Sequence, residues 1–235
     1  MAQRAETELA NVYTAMSSPV RRHVIEFLSR EGPRELKDIA AAVGLREITA
    51  RHHLMVMERA GLVSSVEHHS GLPGRPRLLF EVAGEHHDLS LPRRQYQILS
   101  EQLIEELIAM GGRARAVEVM RSVGTKIGTH MVQQALAAAG KRTLKPDVVE
   151  KHIVPSLDEF GSAASVVERT GSSITVRVNN CVFFELAKKH HDIVCAGHEA
   201  IFEAIAAAMG DYDSRQTSCM ACGAQSCVTC LERRR

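Results

Sequence analysis

An α+β fold is the class this sequence predicts, and three observations predict it. Apolar residues recur at helical spacing through most of the chain up to about residue 160. Twice the period shortens towards two, near 62–82 and again from Ala164 onward. The first pair of strand-like runs encloses a turn-rich segment, Ser70-Gly71-Leu72-Pro73-Gly74-Arg75-Pro76. A chain of 235 residues suits one large or two modest domains and buries an adequate core without staples. Its 29 Lys and Arg nearly balance 28 Asp and Glu, and 45 % of residues are apolar, which excludes a disordered chain and a basic nucleic-acid tail. Charge interrupts every long apolar stretch, so no membrane span is predicted. MAQRAETELANVY lacks the apolar centre of a secretory leader, so the expected location is the cytoplasm.

Taken in order, Leu9, Val12, Tyr13 and Met16 mark a first helix. Ser17-Ser18-Pro19 reads as an N-cap followed by proline in the first turn, opening a helix through Val20, Val24, Phe27 and Leu28 that Gly32-Pro33 stops. A short helix from Glu35 carries Leu36, Ile39, Ala40 and Val43, with Gly44 placed for its left-handed C-cap. Another runs from about Arg46 to Ala60 and ends at Gly61. The runs 62–67 and 78–82 form a hairpin across the turn-rich segment. In the middle, Tyr96, Leu99, Leu103, Ile104, Leu107 and Ile108 make an apolar stripe broken at Gly111-Gly112. Helical patterns resume over 117–140 and 148–160. Strands follow at Val166-Val167 and 174–178, then helices at 182–189 and 198–209, and a last hairpin near 213–220 and 227–232. The expected division is 1–90, 91–160 and 161–235.

Short helices with a Gly-containing turn before the last of them, then a hairpin, is the order of a winged helix-turn-helix. The helix 46–60 would turn Ala50, Leu54 and Met57 inward and present Arg46, Thr49, Arg51, His52 and His53 to a DNA groove. His53, beside Leu54, reads more simply as a flank or core histidine. His69, Arg75 and Arg77 sit at the hairpin tip, where a wing meets the DNA backbone or minor groove. Charge alone says little, since residues 1–80 hold eleven basic and nine acidic residues.

The segment Glu35-Leu36-Lys37-Asp38-Ile39-Ala40 to Gly44-Leu45, with Thr49-Ala50-Arg51-His52-His53-Leu54 to Gly61-Leu62-Val63, resembles bacterial winged-helix repressors of the ArsR/DeoR type. Gly74-Arg75-Pro76 with Phe80, and Leu91-Pro92-Arg93-Arg94-Gln95-Tyr96 leading into an amphipathic helix, resemble one group among them, the iron–sulfur-binding repressors of the suf operon.

All six cysteines lie in the last quarter, spaced Cys181-x13-Cys195-x23-Cys219-x2-Cys222-x4-Cys227-x2-Cys230. Clustered thiols in a reducing compartment read as metal ligands or redox sensors, although free cysteine is also an ordinary core residue. The four residues between the two Cys-x2-Cys pairs are too few for a zinc ribbon and place both pairs in one hairpin. A site assembled from several elements suits thiolate ligation of an iron–sulfur cluster, while paired thiols also permit a disulfide switch. His190, His191 and His198 flank the first two cysteines and are more simply surface residues.

In the suf repressors a cysteine precedes a short helix, another follows it, and a terminal Gly-x3-Cys comes later; Cys181, Cys195 and Gly223-Ala224-Gln225-Ser226-Cys227 are similar to that order. Cys219-x3-Gly223-x3-Cys227 also resembles the end of 4-vinyl-reductase-type domains, which occur in redox-responsive regulators of methanogens. The resemblance implies a homodimeric repressor of operator DNA with a [4Fe–4S] or [2Fe–2S] cluster; Cys219, Cys222 and Cys230 are additional to the suf pattern, and the candidate ligands are Cys181, Cys195, Cys219 and Cys227, with Cys222 next. It implies a helical dimerisation linker and a cysteine-rich sensor domain. A coupling of about 2–3 kcal/mol between cluster and operator would change affinity on the order of 30- to 150-fold. Zinc in place of the cluster, a thiol–disulfide switch, and a small molecule in an apolar pocket remain open. No phosphate-binding loop or nucleophile elbow is present, and His190-His191-Asp192 is the one compact catalytic-looking cluster, so an enzyme is not expected.

Overall fold

The computed structural model describes residues 10–68, 77–83 and 95–234. It divides into two compact units, 1–94 and 95–235. In the first, α1 (10–16) leads to α2 (Pro19–Glu31), β1 (Arg34–Glu35), α3 (Leu36–Ala42), α4 (Glu47–Arg59), β2 (Val63–His68) and β3 (Arg77–Val82). The strands form an antiparallel sheet in the order β1-β3-β2. Val12, Ala15, Val24, Leu28, Ile39, Leu54, Met57, Val63 and Phe80 share one core. This is a winged helix-turn-helix. Ser18 stands at the N-cap of α2, but its side chain makes no capping hydrogen bond. Gly44 takes the left-handed conformation beyond α3, and Leu45 N–H closes back on Ala40 O at 2.9 Å.

In the second unit a 44-residue helix, α5 (Tyr96–Ala139), is followed by α6 (Pro146–Val148), a π-helical turn (Val149–Ile153) and α7 (Val154–Glu159). Then come β4 (Ala164–Arg169), β5 (Ser173–Val178), α8 (Phe184–Lys189), α9 (His191–Ala208), β6 (Tyr212–Ser218), a 3-10 turn (Met220–Cys222) and β7 (Cys227–Arg233). The sheet is antiparallel in the order β4-β5-β7-β6. Alternation turns Ile174, Val176 and Val178 of β5, and Cys227, Thr229 and Leu231 of β7, to the buried side. All of these but Thr229 share a hydrophobic core with Met131, Val132 and Ala135 of α5 and Phe202 and Ile205 of α9. Helix α5 is thus part of the same packing unit as the sheet, so the expected boundary at residue 160 falls inside one core. Among the described residues no helix is long and apolar enough to cross a membrane.

Two differences from the sequence reading bear on the site. Helix α9 starts at His191, seven residues earlier than expected, because Ile193 and Val194 are buried against Ile104 and Ala116 and extend its apolar face. Gly112, at φ 74° and ψ 171°, interrupts α5 at the expected glycine pair and sets residues 96–111 apart as an arm. The arm turns Ile104, Leu107 and Ile108 onto a second core containing Ala187, Ile193, Val194, Cys181 and Cys195.

Beyond the kink, α5 and α9 approach closely through glycine. A Cβ at Gly124 would stand 2.0 Å from Gly197 O, whereas one at Gly197 would stand 3.3 Å from Met120 O. Alanine normally favours a helix interior over glycine by up to about 1 kcal/mol; here backbone overlap reverses the sign. Gly124→Ala is expected to lower the unfolding free energy by about 3 kcal/mol, and Gly197→Ala by less than about 1 kcal/mol, in urea denaturation. Equal effects would show that the contact does not set the helix spacing.

Candidate nucleic-acid interface and thiol centre

Helix α4 buries Ala50, Leu54 and Met57, as its periodicity predicts. That fixes the opposite face, where Arg46, Thr49, Arg51 and His52 are exposed. Ile48, 78 % exposed, stands with them, and an apolar side chain on such a face suits the methyl group of thymine. Sequence reasoning overlooked it because an isoleucine in an amphipathic helix is normally assigned to the core. Arg77 opens β3 opposite His68, the last residue of β2, at the turn end of the hairpin, its Nη1 3.1 Å from Glu35 Oε1, and Lys37 Nζ is 3.1 Å from Glu35 Oε2. The remaining wing candidates, His69 and Arg75, lie outside the described residues.

His53 differs from its neighbours. It is half-buried, and its Nδ1 is enclosed without a hydrogen-bond partner among the described residues. Burial, followed by the charges of Arg21 and His52, holds its pKa below the ordinary 6.5.

The thiols converge through sheet topology. Cys227, first in β7, pairs with Val178, last in β5. Three residues past Val178 the chain reaches Cys181, and β6 ends at Ser218, opposite Val228 and one residue before Cys219. The end of β5, the end of β6 and the start of β7 therefore meet. Cys195, in the second turn of α9, closes the group with its Sγ 4.0 Å from Cys219 Sγ. Cys181, Cys195 and Cys227 line one cavity of about 110 Å³, whose walls include Ile127, Val194 and Ala221. Cys222 is exposed beside Cys219. Cys230 points to the opposite face of β7 from Cys227, as alternation requires.

Burial is the main cause that raises the pKa of Cys181 and of Cys195, and it pushes Cys227 up to about 11. The neighbouring sulfurs raise all three further. Neutral thiols of this kind are poor nucleophiles. Two backbone N–H groups nevertheless point at sulfur: Met220 N–H donates to Cys227 Sγ at 3.3 Å, and the Phe183 amide donates to Cys181. Such donors serve thiolates, and at iron–sulfur centres they tune the potential. A single tetrahedral zinc with Zn–S near 2.3 Å needs sulfurs about 3.8 Å apart. Among the described residues no three cysteine sulfurs lie within 4.8 Å of one another.

The catalytic-looking His190-His191-Asp192 is divided among other tasks. Asp192 makes a bidentate pair with Arg113 beside the Gly112 kink, with Arg113 Nε 3.0 Å from Oδ2. His190 faces Glu101 and Glu105 of the arm. His198 is half-buried among the cavity walls, and the desolvation lowers its pKa.

The His53 environment gives a pH signature. A lowered folded-state pKa favours the neutral ring, so its stabilisation is complete above the unfolded value near 6.5 and is lost as pH falls towards the folded value. Thermal denaturation followed from about pH 7.5 to about pH 5.5 is expected to show the N-terminal unit losing stability on the acid side. His53→Leu should flatten that limb. An acid limb unchanged by the substitution would remove His53 as its source.

Residues 16–66 match the family model of a helix-turn-helix domain. No curated protein matches the chain closely enough to count as a relative. Among solved structures, one similar fold is the homodimeric winged helix-turn-helix DNA-binding domain of a possible ArsR-family transcriptional regulator from Mycobacterium bovis. It is 23 % identical, with 45 % of this chain and 89 % of that one covered and a TM-score of 0.32. Another is the phenol-responsive sensory domain of the transcription activator PoxR, 12 % identical, with 66 % and 80 % covered and a TM-score of 0.44. A third is a trafficking protein particle complex subunit 3 from Naegleria fowleri bound to palmitic acid, 13 % identical, with 59 % and 97 % covered and a TM-score of 0.33. Likenesses of this size carry no functional argument. The family match and the architecture around it make the N-terminal unit a winged helix-turn-helix DNA-binding domain, and the chain a DNA-binding transcriptional regulator.

Proposed function

We propose that the protein is a homodimeric repressor whose operator affinity is set by an iron–sulfur cluster held by Cys181, Cys195, Cys219 and Cys227. The observation that carries this reading is the meeting of these thiols, from a loop, a helix and a hairpin, directly beneath the arm of α5. When bound, the cluster supplies an oxidant-labile cross-link among those three elements. The rest follows from the chain. Cys181 and Cys195 belong to the core on which Ile104, Leu107 and Ile108 rest, and Ala221 packs beside them. Holding the sulfurs together holds the seat of the arm. Releasing them frees the Cys181 loop and the 3-10 turn, and the arm can then shift about Gly112. The arm is the first described element after the DNA-binding unit in the chain, and its shift is the proposed route to a change in the spacing of two recognition helices.

The arm also supports the dimer. Tyr96, Leu99, Leu103 and Met110 recur at three, four and seven residues, and all are more than half exposed while Ile104 on another face is buried. A second copy offering the same stripe would cover both. A DNA-binding dimer with a two-fold axis then reads two half-sites.

A disulfide between Cys195 and Cys219 is the second reading, favoured by their 4.0 Å separation. The high pKa of buried thiols disfavours it as the resting switch.

Anaerobic purification with a visible spectrum and iron, sulfide and zinc analysis tests the cofactor. Brown protein with iron and acid-labile sulfide is expected, and Cys195→Ser should abolish both. Colourless protein with about one zinc per chain would replace the cluster by a zinc centre. Arg51→Ala is expected to weaken promoter binding ten- to hundredfold, about 1–3 kcal/mol, without altering metal content. Leu99→Lys with Leu103→Lys should raise the dimer dissociation constant by ~100-fold or more in sedimentation equilibrium. A dimer indifferent to both substitutions would place the interface elsewhere.

A further inference from the structure

The arm of α5 carries a second, separate set of metal donors. Glu101 and Glu105 lie four residues apart, so their carboxylates occupy one face on successive turns. His190 stands at the corner between α8 and α9, fixed there by its backbone N–H donating to Leu186 O at 2.8 Å. One ligand atom from each of the three side chains lies within 4.8 Å of the other two. The Nδ1 of His190 is buried and has no hydrogen-bond partner among the described residues. A cation already favours the place. Lys189 Nζ donates to Glu101 Oε1 at 2.5 Å, and Glu105 and Glu185 add to the negative field around it.

We propose that Glu101, Glu105 and His190 form a binding site for a divalent first-row transition ion that prefers oxygen and nitrogen donors, with water completing its shell. Two carboxylates and an imidazole suit Mn²⁺ or Fe²⁺, whereas the buried thiols suit softer ions and clusters, so the two sites select different metals. Ligand atoms around such an ion stand about 3 Å apart, and rotation of the flexible glutamates brings them in. Lys189 is then a built-in competitor, because it must release Glu101 before the ion can enter. The bound ion ties the arm to the α8–α9 corner, five residues before Cys195. The site stands whether or not the thiols carry a cluster.

The test is a titration of the full-length, metal-stripped protein with Mn²⁺, followed by loss of the free-ion electron paramagnetic resonance signal. One bound ion per chain is expected. Glu105→Gln and His190→Gln should each weaken binding at least tenfold. Lys189→Gln should tighten it several-fold, a gain that misfolding cannot imitate. Cys195→Ser should leave it unchanged. Thermal melts in the presence and absence of Mn²⁺ should show stabilisation of the wild type that Glu105→Gln loses. The proposal is overturned by no binding up to about 1 mM Mn²⁺, by binding that survives both Glu105→Gln and His190→Gln, or by binding that disappears with Cys195→Ser.

Discussion

The pairing of β7 between β5 and β6 is the constraint on which the C-terminal unit depends. With Cys227 opposite Val178 and Val228 opposite Ser218, three chain segments reach the same end of the sheet. The loops that leave there carry Cys181 and Cys219, while the alternation that buries Ile174, Val176 and Leu231 also turns Cys227 inward and Cys230 away. A one-residue slip of β7 would exchange those two faces, exposing Leu231 and withdrawing Cys227 from its neighbours. The hydrophobic core and the thiol centre are thus fixed by one register.

The close contact of α5 with α9 adds a second level. Gly124 and Gly128 let the helices meet backbone to backbone, which holds α9 and its Cys195 at a fixed height over the sheet end. On the other side of Gly112 the constraint relaxes: Arg113 with Asp192 ties the helix at the kink, and the arm itself is held by the smaller core that contains two of the thiols and by Glu101 with Lys189. These ion pairs are half exposed, so each adds little by itself. An element seated weakly, on a core that includes Cys181 and Cys195, is suited to move when that core changes. On the proposed reading, binding at the thiols would act on the arm through packing, and an ion at Glu101, Glu105 and His190 would act on it through charge.

The N-terminal unit was largely legible because its signals are local. Caps, glycine stops and the inward face Ala50, Leu54 and Met57 all depend on neighbours within a few residues. Strand β1 was not, since two residues carry no period and Arg34–Glu35 is a strand only by its pairing with β3. The six thiols announced a centre, but their grouping depends on strand order, which no spacing along the chain encodes. His190-His191-Asp192 reads as a catalytic-looking cluster or, more simply, a polar helix end, and it is the polar start of α9. The glycines at 124 and 128 resemble helix weakeners until the partner backbone is present.

The most direct test of the account is the affinity for promoter DNA of one preparation measured anaerobically with its cluster intact, and again after the cluster is removed by oxidant and chelator. The account predicts a fall on the order of 30- to 150-fold that reconstitution with iron and sulfide reverses, and no such difference in Cys195→Ser. Equal affinities for the two forms, with the cluster shown to be present in one and absent from the other, would contradict the coupling between the thiol centre and the DNA-binding unit.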